Sequence, residues 1–275
     1  MKRRGWVVAT GAALGFAMLY VPIVIMMIYS FNASKLASVW GGWSARWYGE
    51  LMANDQVLEA AWISVKVGVM AATVGTVFGT MIAYALSRFG RFRGRLLLAG
   101  MATAPIVMPE VVTGLSLLLL FIIMETNFGW PAGRGVDTIV IAHATFCMAF
   151  VAVIVQARMA DMDESVEEAA MDLGARQPWV FFDVTLPALA PALVSGWLLS
   201  FTLSFDDLVI ASFVSGPGAS TLPMVVFSKV RLGVSPEINA LATLMIVAVA
   251  AILAATMLRG GVRLSARRAP PPDQL

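Results

Sequence analysis

Charged residues are scarce in this 275-residue sequence. Asp, Glu, Lys and Arg together make up 13% of it, whereas about a quarter is usual for a soluble domain. Apolar residues make up 59%, and the mean hydropathy is +0.83. Because so little polar surface is available to face water, we expect the chain to lie in a lipid bilayer. The net charge of +2 is small and carries no sign of nucleic-acid binding.

Cysteine and histidine each occur once, as Cys147 and His143. A single cysteine excludes an internal disulfide, and we expect Cys147 to be a small buried hydrophobic residue. The sequence has no H-E-x-x-H cluster and no G-x4-G-K-[ST] phosphate loop. His143 is therefore expected to be a hydrogen-bonding residue between packed helices. We expect no catalytic residue, no metal site, no cofactor and no ATP site in this chain.

Long apolar runs account for most of the sequence. A helix needs about 20 apolar residues to cross the hydrocarbon core of a membrane. Six candidate spans meet this length: 6–31, 60–86, 96–124, 138–155, 188–214 and 238–258. The first follows Lys2, Arg3 and Arg4 like a signal peptide, but its apolar run is about twice the length of a signal core. We interpret it as a retained helix.

Basic residues indicate the orientation of these spans. Thirteen fall on one side, in the N-terminus, the 87–95 loop, the 158–187 loop and the C-terminal tail, and five fall on the other. Lys66 lies inside the second span, near its outer end. An excess of Lys and Arg marks the cytoplasmic side. The sequence thus predicts an all-α protein with six spans and both termini in the cytoplasm.

This topology divides the chain into four parts. Residues 1–31 form an N-terminal span, and residues 32–59 form a periplasmic loop whose tryptophans are expected to be anchors at the membrane interface. Residues 60–258 form the main transmembrane domain, and residues 259–275 form a cytoplasmic tail.

Residues 158–187 form the most informative loop. Residues 163–173 favour a helix, which Gly174 is expected to end in a left-handed conformation. Pro178 suits the first turn of a second short helix, and Pro187 marks the entry to the fifth span. We therefore predict a helix–turn–helix lying on the cytoplasmic membrane face.

Acidic residues recur along the first of these helices. Glu164, Glu168 and Asp172 are spaced at i, i+4 and i+8, so like charges share one face. A basic partner that covers this stripe would explain it. A solvated acidic face that keeps the loop in water is the other explanation of this charge pattern.

Three further acids fall inside predicted spans. Glu110 follows Pro105 and Pro109 in the third span, and Asp206 and Asp207 lie in the fifth. At about 1.5 Å per residue, Glu110 lies roughly 21 Å and Asp206 roughly 27 Å from the cytoplasmic start of the span. Carboxylates at this depth face water or a partner. They either line a cation pathway, form a structural ion pair such as one with Lys66, or lie at the interface.

The 158–187 loop resembles the EAA loop of ABC-importer permeases, whose pattern is EAA–x3–G–x9–I–x–LP. Here it reads Glu168-Ala169-Ala170, Gly174, Val184-Thr185-Leu186-Pro187, with valine in place of isoleucine. This resemblance implies a type I importer permease fold, and a helix that docks on a separate ATPase subunit. The residues implied in ATPase coupling are Glu167, Glu168, Ala169, Ala170, Gly174, Leu186 and Pro187.

Other segments are similar to polyamine-importer permeases, and most of all to the putrescine type. They are 29–32, 46–51, 88–94, 167–175, 204–218, 221–223 and 233–243. This resemblance implies a bacterial inner-membrane heterodimer with a second permease subunit, two ATP-binding subunits and a periplasmic polyamine-binding protein. A permease for another solute, an ion-coupled carrier and a membrane-embedded hydrolase remain alternatives. The hydrolase is disfavoured by the single histidine.

Overall fold

The computed structural model describes residues 2–36, 39–233 and 235–266. Within these residues the chain is mostly helical and forms no β-sheet. The helices are α1 (Lys2–Tyr29), α2 (Arg46–Met52), α3 (Asp55–Arg88), α4 (Arg95–Val107), α5 (Glu110–Phe128), α6 (Val136–Ala160), α7 (Ser165–Asp172), α8 (Gln177–Val180), α9 (Leu186–Asp206), α10 (Val209–Val214), α11 (Leu222–Leu232) and α12 (Pro236–Ala266). A short π-helical segment, Phe181–Thr185, joins α8 to α9.

Five helical stretches among the described residues are long and apolar enough to cross a membrane. They are Thr10–Tyr29, Asp55–Arg88, Glu110–Phe128, Val136–Ala160 and Gln177–Asp206. This confirms an all-α, multi-pass membrane protein. The predicted sixth span falls in α12, which continues to Ala266, past residue 258 where the span was expected to end. Residues 267–275 of the predicted tail lie outside the described residues.

The predicted third span is not one helix. It divides at Met108 and Pro109 into α4 and α5. Proline has no N–H to donate and forces the preceding residue out of the helical conformation. Met108 accordingly has φ −76° and ψ 139°. Glu110 is the first residue of α5, so the depth of about 21 Å expected for a straight helix does not apply.

The predicted fifth span is also interrupted. Helix α9 ends at Asp206, Asp207 is extended with ψ 127°, and α10 begins at Val209. The carboxylate of Asp207 accepts the backbone N–H groups of Ala211 at 2.8 Å and Ile210 at 3.4 Å. An Asp side chain that binds free N–H groups in this way starts a new helix instead of continuing the old one.

Residues 56–225 form one compact unit with a core built around α6. Small residues let α3 approach α6 closely: a Cβ at Gly79 would lie 2.7 Å from the carbonyl oxygen of Met148 and 2.8 Å from Cβ of Val151. Cys147 is fully buried, as predicted. Close approach at small residues is a common way to pack helices in membranes, where apolar burial adds little.

The second unit contains residues 1–55 and 226–275. Its loop after α1 folds around Asn32, whose side chain accepts the N–H of Gly41 at 2.7 Å and donates to the carbonyl of Val39. The indole N–H of Trp47 donates to the Asn32 carbonyl at 2.6 Å, and Trp47 is 6% exposed. The expectation of an interfacial anchor is therefore wrong for Trp47, which packs in the interior. Trp43, 72% exposed, remains available for that role.

Candidate functional site

The 158–187 loop forms the predicted helix–turn–helix. Helix α7 ends in Gly174, which has φ +89°. The N–H of Gly174 donates to Met171, and the N–H of Ala175 donates to Ala170, which together satisfy the last carbonyls of the helix. Glycine adopts this left-handed conformation without the strain that a Cβ would add. The role of Gly174 as a helix-ending turn residue is thus confirmed.

The start of α7 is fixed by local hydrogen bonds. The backbone N–H of Ser165 donates to Oδ1 of Asp163 at 3.0 Å. This bond, and a second from the Ser165 side chain, hold the pKa of the exposed Asp163 carboxyl below its usual value. The charged form of Asp163 is therefore favoured at the N-terminus of the helix, where the helix dipole also favours a negative charge.

The second arm of the loop leads without interruption into α9. Pro178 lies in the first turn of α8, and Leu186 and Pro187 form the first turn of α9, as predicted. Between them, Phe181–Thr185 is π-helical, so its backbone hydrogen bonds join residues five apart instead of the four of an α-helix. Such π segments are frequent at functional sites.

Adjacent glutamates on α7 have opposite environments. Glu167 is 7% exposed, whereas Glu168 is exposed. The guanidinium of Arg88, at the end of α3, lies 2.7 Å from Oε2 of Glu167. The hydroxyl of Thr185 donates to Oε1 of Glu167 at 2.9 Å. The carboxylate of Glu167 is therefore engaged by Arg88 and Thr185 of the same chain. Of the two glutamates, Glu168 is the one whose side chain is available to a partner.

Large apolar side chains lie exposed on both arms of the loop. Leu173 is 91% exposed, Trp179 63% and Val166 56%. Ala169 is exposed and Ala170 half-buried. Exposed apolar side chains thus accompany the exposed acids Glu168 and Asp172 along the loop. Exposed apolar patches often mark interaction sites, and docking of this loop on another protein stays a prediction.

The break between α9 and α10 holds a buried polar cluster. Asp207 lies with Oδ1 3.1 Å from Nε2 of His143, and its side chain is 7% exposed. Nδ1 of His143 lies 2.7 Å from Oγ of Ser204. The Nε2 contact has the distance of an ion pair without the alignment of a hydrogen bond. His143 thus links α6 to α9, which confirms its predicted packing role.

The other two candidate acids are open. Glu110 and Asp206 are both exposed, at the start of α5 and the end of α9. Among the residues that the structure describes, Lys66 forms no ion pair with Glu110, Asp206 or Asp207. The structure therefore separates the adjacent acids of the fifth span: Asp207 is held inside, and Asp206 is free to meet water or a solute.

Sequence reasoning missed the partners of Arg88 and of Asp207. Arg88 counted only as a cytoplasmic positive charge, and His143 had no identified partner. The separations along the chain, from 88 to 167 and from 143 to 207, follow no motif spacing. The one sequence signal that could have predicted the second pair is that a histidine and an acid, His143 and Asp207, both lie inside predicted spans.

Residues 75–268 match the family model described as binding-protein-dependent transport system inner membrane component. This range holds the EAA-like loop, both helix breaks and the core helix α6. The chain belongs to this family. Its members are transport components, so the permease is a membrane transport subunit and not an enzyme.

Two kinds of relative resemble the permease along most of its length. It is 60% identical over 236 residues to the putrescine transport system permease protein PotI of Escherichia coli K12, covering 86% of this chain and 84% of that one. It is 42% identical over 232 residues to the spermidine/putrescine transport system permease protein PotC of the same strain, covering 84% and 85%.

Solved structures share the fold at much lower identity. A bacterial ABC transporter involved in the import of the acidic polysaccharide alginate aligns with a TM-score of 0.73 and 19% identity, over 93% of the permease and 96% of that chain. The inward-facing MetNI methionine ABC transporter aligns with a TM-score of 0.58 and 14% identity, over 78% and 96%. At these identities, the likeness establishes an ABC-permease fold and nothing about the solute.

Proposed function

We propose that this chain is a permease subunit of an ATP-driven putrescine importer in the bacterial inner membrane. The observation that carries the proposal is its 60% identity to a putrescine permease over 86% of its length. The open acids at the two helix breaks suit a dicationic solute, because carboxylates replace part of the hydration of an ammonium group.

The proposed topology has six spans with both termini in the cytoplasm. Helix α12, which runs for 31 residues, supplies the sixth span. The excess of Lys and Arg on one side supports this orientation. It places the 158–187 loop in the cytoplasm, the compartment that contains ATP.

The proposed assembly is a heterodimer with a second permease, bound to two ATP-binding subunits and served by a periplasmic polyamine-binding protein. The 158–187 loop would dock on an ATP-binding subunit through Glu168, Ala169, Ala170 and the exposed Leu173. Gly174 sets the turn, and Leu186 and Pro187 join the loop to α9. Closure of the ATP-binding subunits would displace the loop and shift the helices between outward and inward access.

The proposed solute pathway passes Glu110 and Asp206. Both carboxylates are exposed, so they meet a cation without first breaking an internal ion pair. Asp207 contributes indirectly, because it fixes the break that presents Asp206. Transport by Asp207→Asn at the level of the unmodified protein would remove Asp207 from any such role.

Reconstitution of the complete complex tests the substrate. Proteoliposomes that contain both permeases and the ATP-binding subunits are supplied with candidate polyamine-binding proteins and labelled putrescine or spermidine. We expect putrescine to stimulate ATP hydrolysis and to accumulate. Stimulation by spermidine alone would contradict the putrescine proposal. Accumulation without any ATP-binding subunit would favour an ion-coupled carrier.

Cysteine accessibility tests the topology. Replacement of Cys147 by serine gives a cysteine-free background, since the chain has one cysteine. Reporter cysteines at Asp161, an exposed residue of the 158–187 loop, and at Ser34 should then react with a membrane-impermeant maleimide from opposite sides. Labelling at position 161 from the periplasmic side of intact cells would overturn the proposed orientation.

A further inference from the structure

Three segments of the 56–225 unit meet at one buried carboxylate. The carboxylate of Glu167, in α7, accepts hydrogen bonds from Nε of Arg88 at 2.7 Å and from Nη2 of Arg88 at 3.4 Å. The hydroxyl of Thr185, in the π-helical segment, donates to the same carboxylate at 2.9 Å. The last residue of α3, the middle of α7 and the entry to α9 are thus joined through one side chain.

This junction is shielded from water. The side chains of Arg88 and Glu167 are 11% and 10% exposed, and Thr185 is fully buried. Charge-assisted hydrogen bonds are stronger than neutral ones, and screening by solvent is weak at such burial. The second acid on Arg88 differs: Glu164, at 2.9 Å, is 64% exposed.

Helix α7 has one buried side chain among its eight residues, Glu167. Val166 in the helix is 56% exposed, and Leu173 just after it is 91% exposed. Glu167 is therefore the buried side chain through which α7 contacts Arg88 of α3 and Thr185 before α9.

We propose that Arg88, Glu167 and Thr185 form the link that transmits displacement of the docking helix to α3 and α9 at once. This rests on the proposed function of the 158–187 loop, and it gives the two adjacent glutamates different tasks. Glu168 meets the ATP-binding subunit. Glu167 never touches it and acts as a positioning residue that couples α7 to the two membrane helices.

The π-helical segment takes part in this arrangement. Thr185 is its last residue, and the Thr185 hydroxyl lies 2.9 Å from the Glu167 carboxylate and 3.4 Å from the carbonyl of Val180. A push on α7 then pulls on the start of α9 through Thr185 and on the end of α3 through Arg88. With one of these contacts missing, the loop still docks but moves only one helix.

The test measures solute transported per ATP hydrolysed in the reconstituted complex with its binding protein. Glu167→Gln keeps the shape of the side chain and removes its charge, and Thr185→Val removes one hydroxyl. For both variants, we expect the ATP-binding subunits to co-purify as before and the transport-to-ATP ratio to fall about tenfold, the size expected for loss of a charge-assisted hydrogen bond. Asp161→Asn, the same chemical change at an exposed acid of the same loop, should leave the ratio unchanged.

A charge exchange, Arg88→Glu with Glu167→Arg, should recover part of the ratio that each single change loses. An unchanged ratio in Glu167→Gln and Thr185→Val would overturn the proposal. So would loss of the ATP-binding subunits from Glu167→Gln, since that would make Glu167 a docking residue. If Glu167→Gln does not fold, the transport-to-ATP ratio of Thr185→Val alone tests the proposal. Failure of the unmodified complex to hydrolyse ATP in response to polyamine would count instead against the proposed function.

Discussion

Nε2 of His143 lies 3.1 Å from Oδ1 of Asp207, at the point where the fifth apolar run divides into two helices. Both side chains are almost fully buried, and Asp207 also accepts two backbone N–H groups of α10. One carboxylate therefore serves both as the cap of a new helix and as the partner of an imidazole. Its neighbour Asp206 is thereby left exposed at the end of α9.

The first prediction concerns the stability of this break. Asp207→Ala removes a helix cap and leaves His143 without its acid, so we expect the free energy of unfolding to fall by about 1–3 kcal/mol. His143→Ala should cost a similar amount. Because the two residues are in contact, the double variant should lose less than the sum of the single losses. Thermal unfolding of the purified permease in detergent measures all three.

The neighbouring acid supplies the control for this prediction. Asp206→Ala changes an exposed carboxylate one residue away and should leave the unfolding midpoint within experimental error. Equal destabilisation by Asp206→Ala and Asp207→Ala would show that general charge loss at the break, and not the contact with His143, sets the stability.

The second prediction concerns the contact of α3 with α6. Gly79→Ala would place a methyl group 2.7 Å from the backbone oxygen of Met148, which cannot move without shifting α6. We expect a loss of about 1–3 kcal/mol, typical of overpacking. Gly100→Ala is the matched control, since its Cβ would meet nothing within 4 Å. Alanine favours a helix more than glycine does, so Gly100→Ala should be neutral or slightly stabilising. Similar midpoints for both variants would argue against close packing at Gly79.

Local rules predicted the turn of the 158–187 loop correctly. Gly174 ends α7 in a left-handed conformation, Pro178 lies in the first turn of α8, and Leu186-Pro187 begins α9. Each of these positions depends on the backbone conformations that one residue type, glycine or proline, can adopt. The identity of that residue is read directly from the sequence. The break at Pro109 rests on the same kind of rule. Hydropathy alone does not reveal the break at Pro109, because the apolar run continues on both sides of it.

Rules of this kind do not predict which side of a short helix is buried. In α7, Glu167 is turned inward and Glu168 outward, whereas the i, i+4, i+8 spacing of Glu164, Glu168 and Asp172 describes only one face of the helix. Eight residues contain too few apolar positions to define a buried side. The buried side of α7 is the one that pairs with Arg88. Arg88 is distant in sequence and contacts Glu167 only once α3 and α7 have packed. The contact of His143 with Asp207 has the same origin.

The third prediction concerns the solute pathway. Asp206→Asn and Glu110→Gln remove exposed carboxylates that we propose attract a dication. We expect each to lower the initial rate of putrescine uptake about tenfold at low substrate, with an unchanged unfolding midpoint. Uptake into proteoliposomes at several putrescine concentrations measures the rates, with the binding protein present in excess.

Glu125→Gln is the control for this pathway, because Glu125 is an exposed acid near the other end of α5. It should transport like the unmodified protein. Undiminished uptake by Asp206→Asn would leave Asp206 outside the pathway. Equal loss in all three variants would point to a general effect of negative charge on the permease.

The last prediction concerns docking of the ATP-binding subunits. Leu173 is 91% exposed at the end of α7, beside the acidic residues of the loop. If a partner covers it, Leu173→Ala should weaken association by about tenfold, since full burial of a leucine side chain contributes about 1.5–3 kcal/mol. Leu96→Ala removes the same atoms from a leucine that is 88% exposed at the start of α4, outside the loop, and should have little effect. Co-purification of the ATP-binding subunits with each variant, at matched expression, measures the difference. Equal retention by Leu173→Ala and Leu96→Ala would place the docking contact elsewhere on the loop, because a leucine at the centre of an interface cannot be shortened without loss of affinity.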